Sequence, residues 1–207
     1  MTEIIEAIRK LRSVNKKRNF VQRLDLIINL KGIDTKKPES RINEILSLPY
    51  GSGKEAKIVI FSDEIKEIPK VKVINSKEME ELAKNKRKTK NLAKNFDFFL
   101  ADQKILPIVI KNFGKFLAPR GKTPKPIVGD LQKTIESLRK SVRIRIKDSP
   151  VIQVPVGNEN MKDEEIEKNI REVINFVVEK LPKKSNNIKE ILIKFTMSKP
   201  VKIEVKL

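Results

Sequence analysis

The chain has no cysteine, no histidine and no tryptophan, and a single tyrosine. Without cysteine there is neither a disulfide framework nor a thiolate metal site. Without histidine it lacks the one ordinary side chain that titrates near neutrality, and with it the commonest metal ligand. A catalyst would have to be built from carboxylates, lysines or serines alone, which argues against an enzyme. No apolar run approaches the roughly 18 residues that cross a bilayer, and the first residues lack the hydrophobic stretch of a secretory signal. No internal repeat or low-complexity tract is present. The absences predict a soluble cytoplasmic protein with no cofactor, no metal and no membrane partner.

What the sequence holds in excess is positive charge: 46 Lys and Arg against 27 Asp and Glu in 207 residues, a formal net charge of +19. Apolar residues make up 39%, enough to build cores, and Ile, Leu and Val recur periodically, so this is no disordered basic tail. A folded protein of such charge fits a polyanion, and nucleic acid is the commonest one.

Ile4, Ile5, Ile8 and Leu11 fall at helical spacing, with Glu3 and Glu6 early and Arg9, Lys10 and Arg12 late, which suits the helix dipole. Residues 20–30 alternate, with Leu24, Leu26, Ile28 and Leu30 on one face, as in a half-buried strand. A short apolar strand follows at 56–61. From about residue 63, short apolar runs alternate with helical stretches: a strand at 71–74, one helix over 76–94, and a strand at 96–100. A helix through Phe113 and Leu117, a helix capped by Asp130, and an alternating strand at 142–147 continue the series. Strand and helix in turn imply a mostly parallel sheet. The last third has strands at 151–156, 188–195 and 201–205, and a long helix capped by Asp163. The expected architecture is α/β: a discontinuous two-layer domain, 1–63 plus 151–207, with domain 64–150 inserted into it. On that division the insert carries a net charge of +12 and the flanking pieces +7.

Gly51-Ser52-Gly53-Lys54 resembles the end of a phosphate loop. However, Leu48 stands where its first glycine belongs, and Glu55 replaces the magnesium-binding Ser or Thr. A plain turn, or one whose amides and Lys54 meet an RNA phosphate, fits better. Residues 117–126 hold three prolines around Gly121. They either present Arg120, Lys122 and Lys125 as a rigid finger or form a connector with solvated lysines. The six basic residues of 84–94 cannot all share one helix face and read as a solvated helix. In Asn15-Lys16-Lys17-Arg18-Asn19-Phe20, cations precede an aromatic that could meet a base or ribose, or could join the core. Asp63-Glu64 and Asp163-Glu164-Glu165 read as capping residues.

Four segments in this order, Leu48-Pro49-Tyr50-Gly51-Ser52-Gly53-Lys54, Pro119-Arg120-Gly121 with Pro124 and Pro126, Val154-Pro155-Val156-Gly157, and Thr196-Met197 before Pro200-Val201-Lys202-Ile203, resemble the large-subunit ribosomal protein L-one family in its archaeal branch. The resemblance spans essentially the whole chain. It implies a split β-α-β first domain and an inserted Rossmann-like, three-layer second domain on the mobile stalk of the large ribosomal subunit. It also implies direct binding of large-subunit rRNA, help with release of exit-site tRNA, and repression of translation through the protein's own mRNA. The protein would be ribosome-bound beside other ribosomal components and a monomer off the ribosome. The family's RNA surface lies on the discontinuous domain and matches Phe20, Asp25, Thr196, Met197 and Ser198, with Arg18, Lys54 and Lys199 as phosphate contacts. Arg120, Lys122 and Lys125 are secondary candidates. The family's glycine after Met is Ser198 here, whose hydroxyl could meet a 2′-OH or phosphate, and the residue before the aromatic is Asn19 rather than a cation. Two rivals stand beside this reading: a nucleotide-dependent nucleic-acid-processing enzyme, and a chromatin-type DNA-binding protein.

Overall fold

A computed structural model of the chain describes residues 2–35, 42–65 and 67–204. In chain order the elements are α1 (Thr2–Val14), β1 (Arg23–Leu30), β2 (Asn43–Ser47), β3 (Ile58–Phe61), β4 (Lys72–Ile74), α2 (Ser76–Lys84) and α3 (Lys86–Asn95). Then follow β5 (Phe98–Ala101), α4 (Leu106–Leu117), β6 (Lys125–Pro126), α5 (Leu131–Arg139) and β7 (Ser141–Arg145). The last are β8 (Val151–Asn158), α6 (Asp163–Lys180), β9 (Ile188–Phe195) and β10 (Val201–Ile203). The strand expected to reach Val205 is described as far as Ile203, and Val205 lies outside the described residues. The chain forms two compact units, one of Met1–Glu55 with Lys140–Leu207 and the other of Ala56–Arg139.

In the two-piece unit an antiparallel sheet runs in the order β10-β9-β1-β8, beside a two-stranded ribbon of β2 and β7. The alternation read in the sequence sets its faces: Leu24, Leu26, Ile28 and Leu30 are buried, as are Ile191, Ile193 and Phe195 on β9. Their core includes Ile4, Ile8 and Leu11 of α1 and Ile166, Ile170, Val173 and Val177 of α6, making two layers. Asp163 does not cap α6. Its carboxylate meets Arg12 Nε at 2.8 Å, and Glu165 folds back to accept from the Lys162 amide instead.

The other unit is a parallel sheet in the order β4-β3-β5-β6. Every residue of β3 and β5 is buried, as expected of strands covered on both faces. Val59, Phe61, Phe99 and Ala101 pack with Met79, Leu92, Val109 and Phe113 from α2, α3 and α4, while α5 lies against β3.

The pairings move both expected boundaries. Residues 58–61, assigned to the two-piece domain, pair in parallel with β4 and β5 and so belong to the insert. Residues 141–145, assigned to the insert, pair with β2 and belong to the two-piece unit. The charge moves with them: unit Ala56–Arg139 carries 19 basic and 10 acidic residues, net +9, against +10 for the rest. The single helix expected over 76–94 is two helices, because Asn85 adopts an extended conformation (φ −107°, ψ 93°) and caps the second one, its side chain accepting from the amides of Arg87 and Lys88.

Candidate nucleic-acid interface

Gln22 stands one step before β1, in phase with Leu24, Leu26 and Ile28, and is fully buried. A buried amide must find partners or forfeit its solvation. The Oε1 of Gln22 accepts from the Met197 amide at 3.2 Å, and its Nε2 donates to Asn15 Oδ1 at 3.1 Å and to the Lys16 carbonyl at 3.3 Å. One side chain thus closes the loop 15–22 at its base and ties it to the turn between β9 and β10. The Gln22 carbonyl accepts from the Glu159 amide beyond β8, so three strand ends converge here.

The turn itself is closed by the Ser198 amide donating to the Phe195 carbonyl at 3.1 Å. Thr196 bonds to the backbone of Arg23 through its amide and, at 3.2 Å, through its hydroxyl, which accepts from the Arg23 amide. Ser198 Oγ accepts from the Phe195 amide at 2.9 Å and lies 3.1 Å from the Lys199 carbonyl. The hydroxyl expected to face an RNA is therefore engaged inside its own turn. Ser198 is not among the residues with positive φ, so the turn does not require the glycine that the resemblance implies there.

On this braced end sit four exposed apolar side chains: Val14 (61%), Phe20 (51%), Val21 (53%) and Met197 (61%). Such exposure rules out a core role for Phe20, which also precedes β1 rather than starting it. Arg18 and Lys199 are exposed, with no side-chain partner among the described residues. Asp25 lies on the less buried face of β1, where Arg23 Nε donates to its carboxylate at 2.8 Å, and it stands in register with Lys194. Val14, Val21 and Gln22 were not singled out from sequence. Only Gln22 left a signal, as a polar residue continuing an inward-facing alternation.

Lys54 reaches the same end by way of Asn158, which stands opposite Arg23 across the β1–β8 pair. Asn158 Nδ2 donates to the Gly53 carbonyl at 3.0 Å, while the fully buried Asn169 donates to the Gly51 carbonyl at 2.7 Å and accepts from the Tyr50 amide. Gly53 has φ +75°, and a Cβ there would lie 2.4 Å from the Asn158 side chain, so only glycine fits. The segment runs from β2 to β3 with no helix after it. A phosphate loop needs amides at a helix N-terminus, so the nucleotide-binding alternative for Gly51–Lys54 fails on connectivity. Tyr50 accepts a bond from Lys168 Nζ at 3.2 Å, and that bond holds the ammonium above its ordinary pKa.

Arg120, Lys122 and Lys125 lie in the other unit. Gly121 (φ +69°) ends the helical run after α4, its amide bonding Ala118 and the Lys122 amide bonding Leu117, a Schellman arrangement. Lys122 is no finger for an outside phosphate: its ammonium donates to the carbonyls of Ala93 (3.1 Å) and Phe96 at the C-terminal end of α3. Lys125 and Pro126 form the edge strand of the parallel sheet, a position that tolerates proline. Arg120 and Lys125 remain exposed. Among the described residues no helix is long and apolar enough to cross a membrane, and no group of carboxylates could hold a metal ion.

The ribosomal protein L1p/L10e family model matches residues 11–199. The large ribosomal subunit protein uL1 of Methanocaldococcus jannaschii is 42% identical over 207 residues, covering 97% of this chain and 94% of that protein. Its counterpart in Pyrococcus horikoshii is 38% identical over 209 residues, covering 98% of this chain and 95% of that protein. The Methanothermococcus thermolithotrophicus protein of the same name is 42% identical, at 97% of both chains.

Proposed function

The chain belongs to the ribosomal protein L1p/L10e family, and from that premise we infer that it is a structural constituent of the large ribosomal subunit, not an enzyme, and that it works by binding the subunit's RNA. The observation that carries the RNA contact is the end of the two-piece unit where Phe20 and Met197 stand exposed on backbone braced by Gln22 and Thr196, beside the free cations Arg18, Lys54 and Lys199. A base or ribose can stack on the aromatic and pack on the thioether, while the lysines and arginine meet phosphates. Asp25 offers carboxylate oxygens to 2′-hydroxyls on the same strand. Ser198 holds the turn.

The family resemblance further supports a place on the mobile stalk, assistance in releasing exit-site tRNA, and repression of the protein's own mRNA through an RNA structure that mimics the rRNA site. With about six phosphates engaged, affinity for a folded large-subunit rRNA fragment should fall roughly a thousandfold between 50 and 200 mM salt. Competition by duplex DNA should fail at concentrations where unlabelled rRNA fragment displaces the complex. Equal competition by DNA would transfer the reading to the chromatin-type alternative, and binding indifferent to salt would remove it altogether.

A further inference from the structure

Helix α3, Lys86-Arg87-Lys88-Thr89-Lys90-Asn91-Leu92-Ala93-Lys94-Asn95, has five cations and no acid. Its buried residues are Thr89, Leu92 and Ala93, which fix the inward side. At about 100° per residue, Lys86, Arg87, Lys90 and Lys94 then fall within an arc of about 100° on one solvent-facing flank, Lys86 nearest the inward side, running about 12 Å along the axis. The burial pattern thus gathers four of the cations that the sequence reading scattered round the helix. None of their side chains has an ion-pair or hydrogen-bond partner among the described residues. The neighbouring helix α2 carries Glu78, Glu80 and Glu81; Glu78 is 3.2 Å from Lys72, and none of the three lies within ion-pair distance of α3.

The arrangement also runs against the helix's own electrostatics. The first turn holds Lys86, Arg87 and Lys88 and no acid, although the amide end of a helix repels cations. The α3 carbonyl end, by contrast, is neutralised from within by Lys122. Local stability therefore does not explain the cations of the first turn, whereas an anion laid along the helix would.

We propose that the exposed ridge of α3, Lys86, Arg87, Lys90 and Lys94, is a second RNA-contact surface that grips a phosphodiester backbone without reading its sequence. It belongs to the Ala56–Arg139 unit, whereas the residues of the proposed stacking site belong to the other. Cations repeating one helical turn apart suit the regular step of a phosphate strand better than a folded acidic protein, whose carboxylates are irregular. Asn91 beside the ridge can donate to sugar or phosphate oxygens.

The test is the salt dependence of RNA binding by the full chain, for a folded large-subunit rRNA fragment and for an unrelated RNA duplex. The triple variant Arg87→Ala, Lys90→Ala, Lys94→Ala should lower the steepness of log K against log salt by about two to three for both RNAs, each lost phosphate contact removing just under one. The preference for the rRNA fragment should be preserved. Substitution by Arg at Lys90 and Lys94 should keep the parental slope. Because the replaced side chains are exposed and partnerless, the triple variant should melt no lower than the parent, which separates lost contacts from lost fold. An unchanged slope in a folded variant overturns the proposal, as does a ridge that binds a polyglutamate peptide while leaving RNA binding untouched. Loss of rRNA preference in the parent chain itself would instead overturn the reading of the stacking site.

Discussion

The two surfaces proposed to meet RNA are built in different ways. At the end of the two-piece unit, exposed Val14, Phe20, Val21 and Met197 stand among the cations Arg18, Lys54 and Lys199, and the backbone beneath is tied down: Gln22 alone spans Asn15, Lys16 and Met197. Along α3 the outward groups are nearly all charged and nothing holds their side chains. A braced turn with a thioether and an aromatic can discriminate one RNA shape from another, because misplaced stacking partners find no accommodating side chain. A row of free lysines cannot, since each follows a phosphate wherever it lies. The near-equal net charges of the two units, +9 and +10, mean that net charge does not distinguish them.

Breaking the brace should produce the largest effect. Gln22→Ala leaves the Met197 amide, Asn15 Oδ1 and the Lys16 carbonyl without their partner, a loss of about 1–3 kcal/mol. It also frees both the 15–22 loop and the turn, so binding of the rRNA fragment should fall on the order of a hundredfold while binding to unrelated duplex changes little. Parallel losses on both RNAs in an electrophoretic titration would mean that the brace serves only folding.

Removing what the brace presents should do somewhat less. Phe20→Ala and Met197→Ala each delete one exposed contact without opening a cavity. Stacking of a base is worth about 1–3 kcal/mol, so Phe20→Ala should weaken the rRNA complex by roughly 5- to 150-fold. Met197→Ala should sit at the lower end, near tenfold. Both should leave the melting temperature within a degree or two of the parent, as expected for side chains more than half exposed.

Within the other unit a sharper contrast is available between lysines that look alike in sequence. Lys122 is 17% exposed in its side chain and holds the α3 carbonyls, whereas Lys90 is exposed and partnerless. Lys122→Ala should cost about 1–3 kcal/mol of stability, read in denaturant unfolding, while Lys90→Ala costs none and acts only on the salt slope.

How far these differences could be read in advance follows from how local their causes are. The alternation of Leu24, Leu26, Ile28 and Leu30 announced β1 because a half-buried strand writes its faces into its own residues. The partners of β3 and β7 could not be read that way. An apolar run such as Ile58–Phe61 suits either sheet, and only pairing with β4 and β5 decides. The break at Asn85 rests on a side chain that caps two amides, and an asparagine inside a polar, basic stretch does not by itself announce that role. Lys122 was illegible: its role exists only because the end of α3 comes to lie beside the loop after α4.

Acid should separate the units further, though modestly. Ser76 donates its hydroxyl and its amide to the Asp63 carboxylate, at 2.5 and 2.7 Å, and these bonds hold the carboxyl below its ordinary value. A lowered value means the contribution is complete above the ordinary Asp range, about 3.9, and is lost as the pH falls through the folded value. Melting temperature followed from pH 6 to pH 2 should drop less steeply in Asp63→Asn than in the parent. Parallel curves would show that the clasp at the start of α2 does not contribute. Binding of rRNA by Asp63→Asn at pH 7 should be unchanged, since the clasp belongs to the unit without the stacking site.

The smallest effect belongs to Ser198, one of two positions beside the proposed stacking site where the chain departs from the pattern that the resemblance supplies, the other being Asn19. Ser198 stands where the resemblance supplies glycine, and the hydroxyl closes the turn by bonding Phe195 rather than facing outward. Ser198→Gly removes that bond and loosens a backbone that does not need positive φ. These losses are offset in part by closer approach of RNA to the turn. The two contributions oppose each other, so rRNA affinity should change by twofold or less, with stability falling by about 0.5–1 kcal/mol. A tenfold gain on Ser198→Gly would show that backbone approach, rather than the side chains of Phe20 and Met197, limits binding. A tenfold loss would make the serine hydroxyl itself a contact, and the turn would then have to open before RNA could reach it.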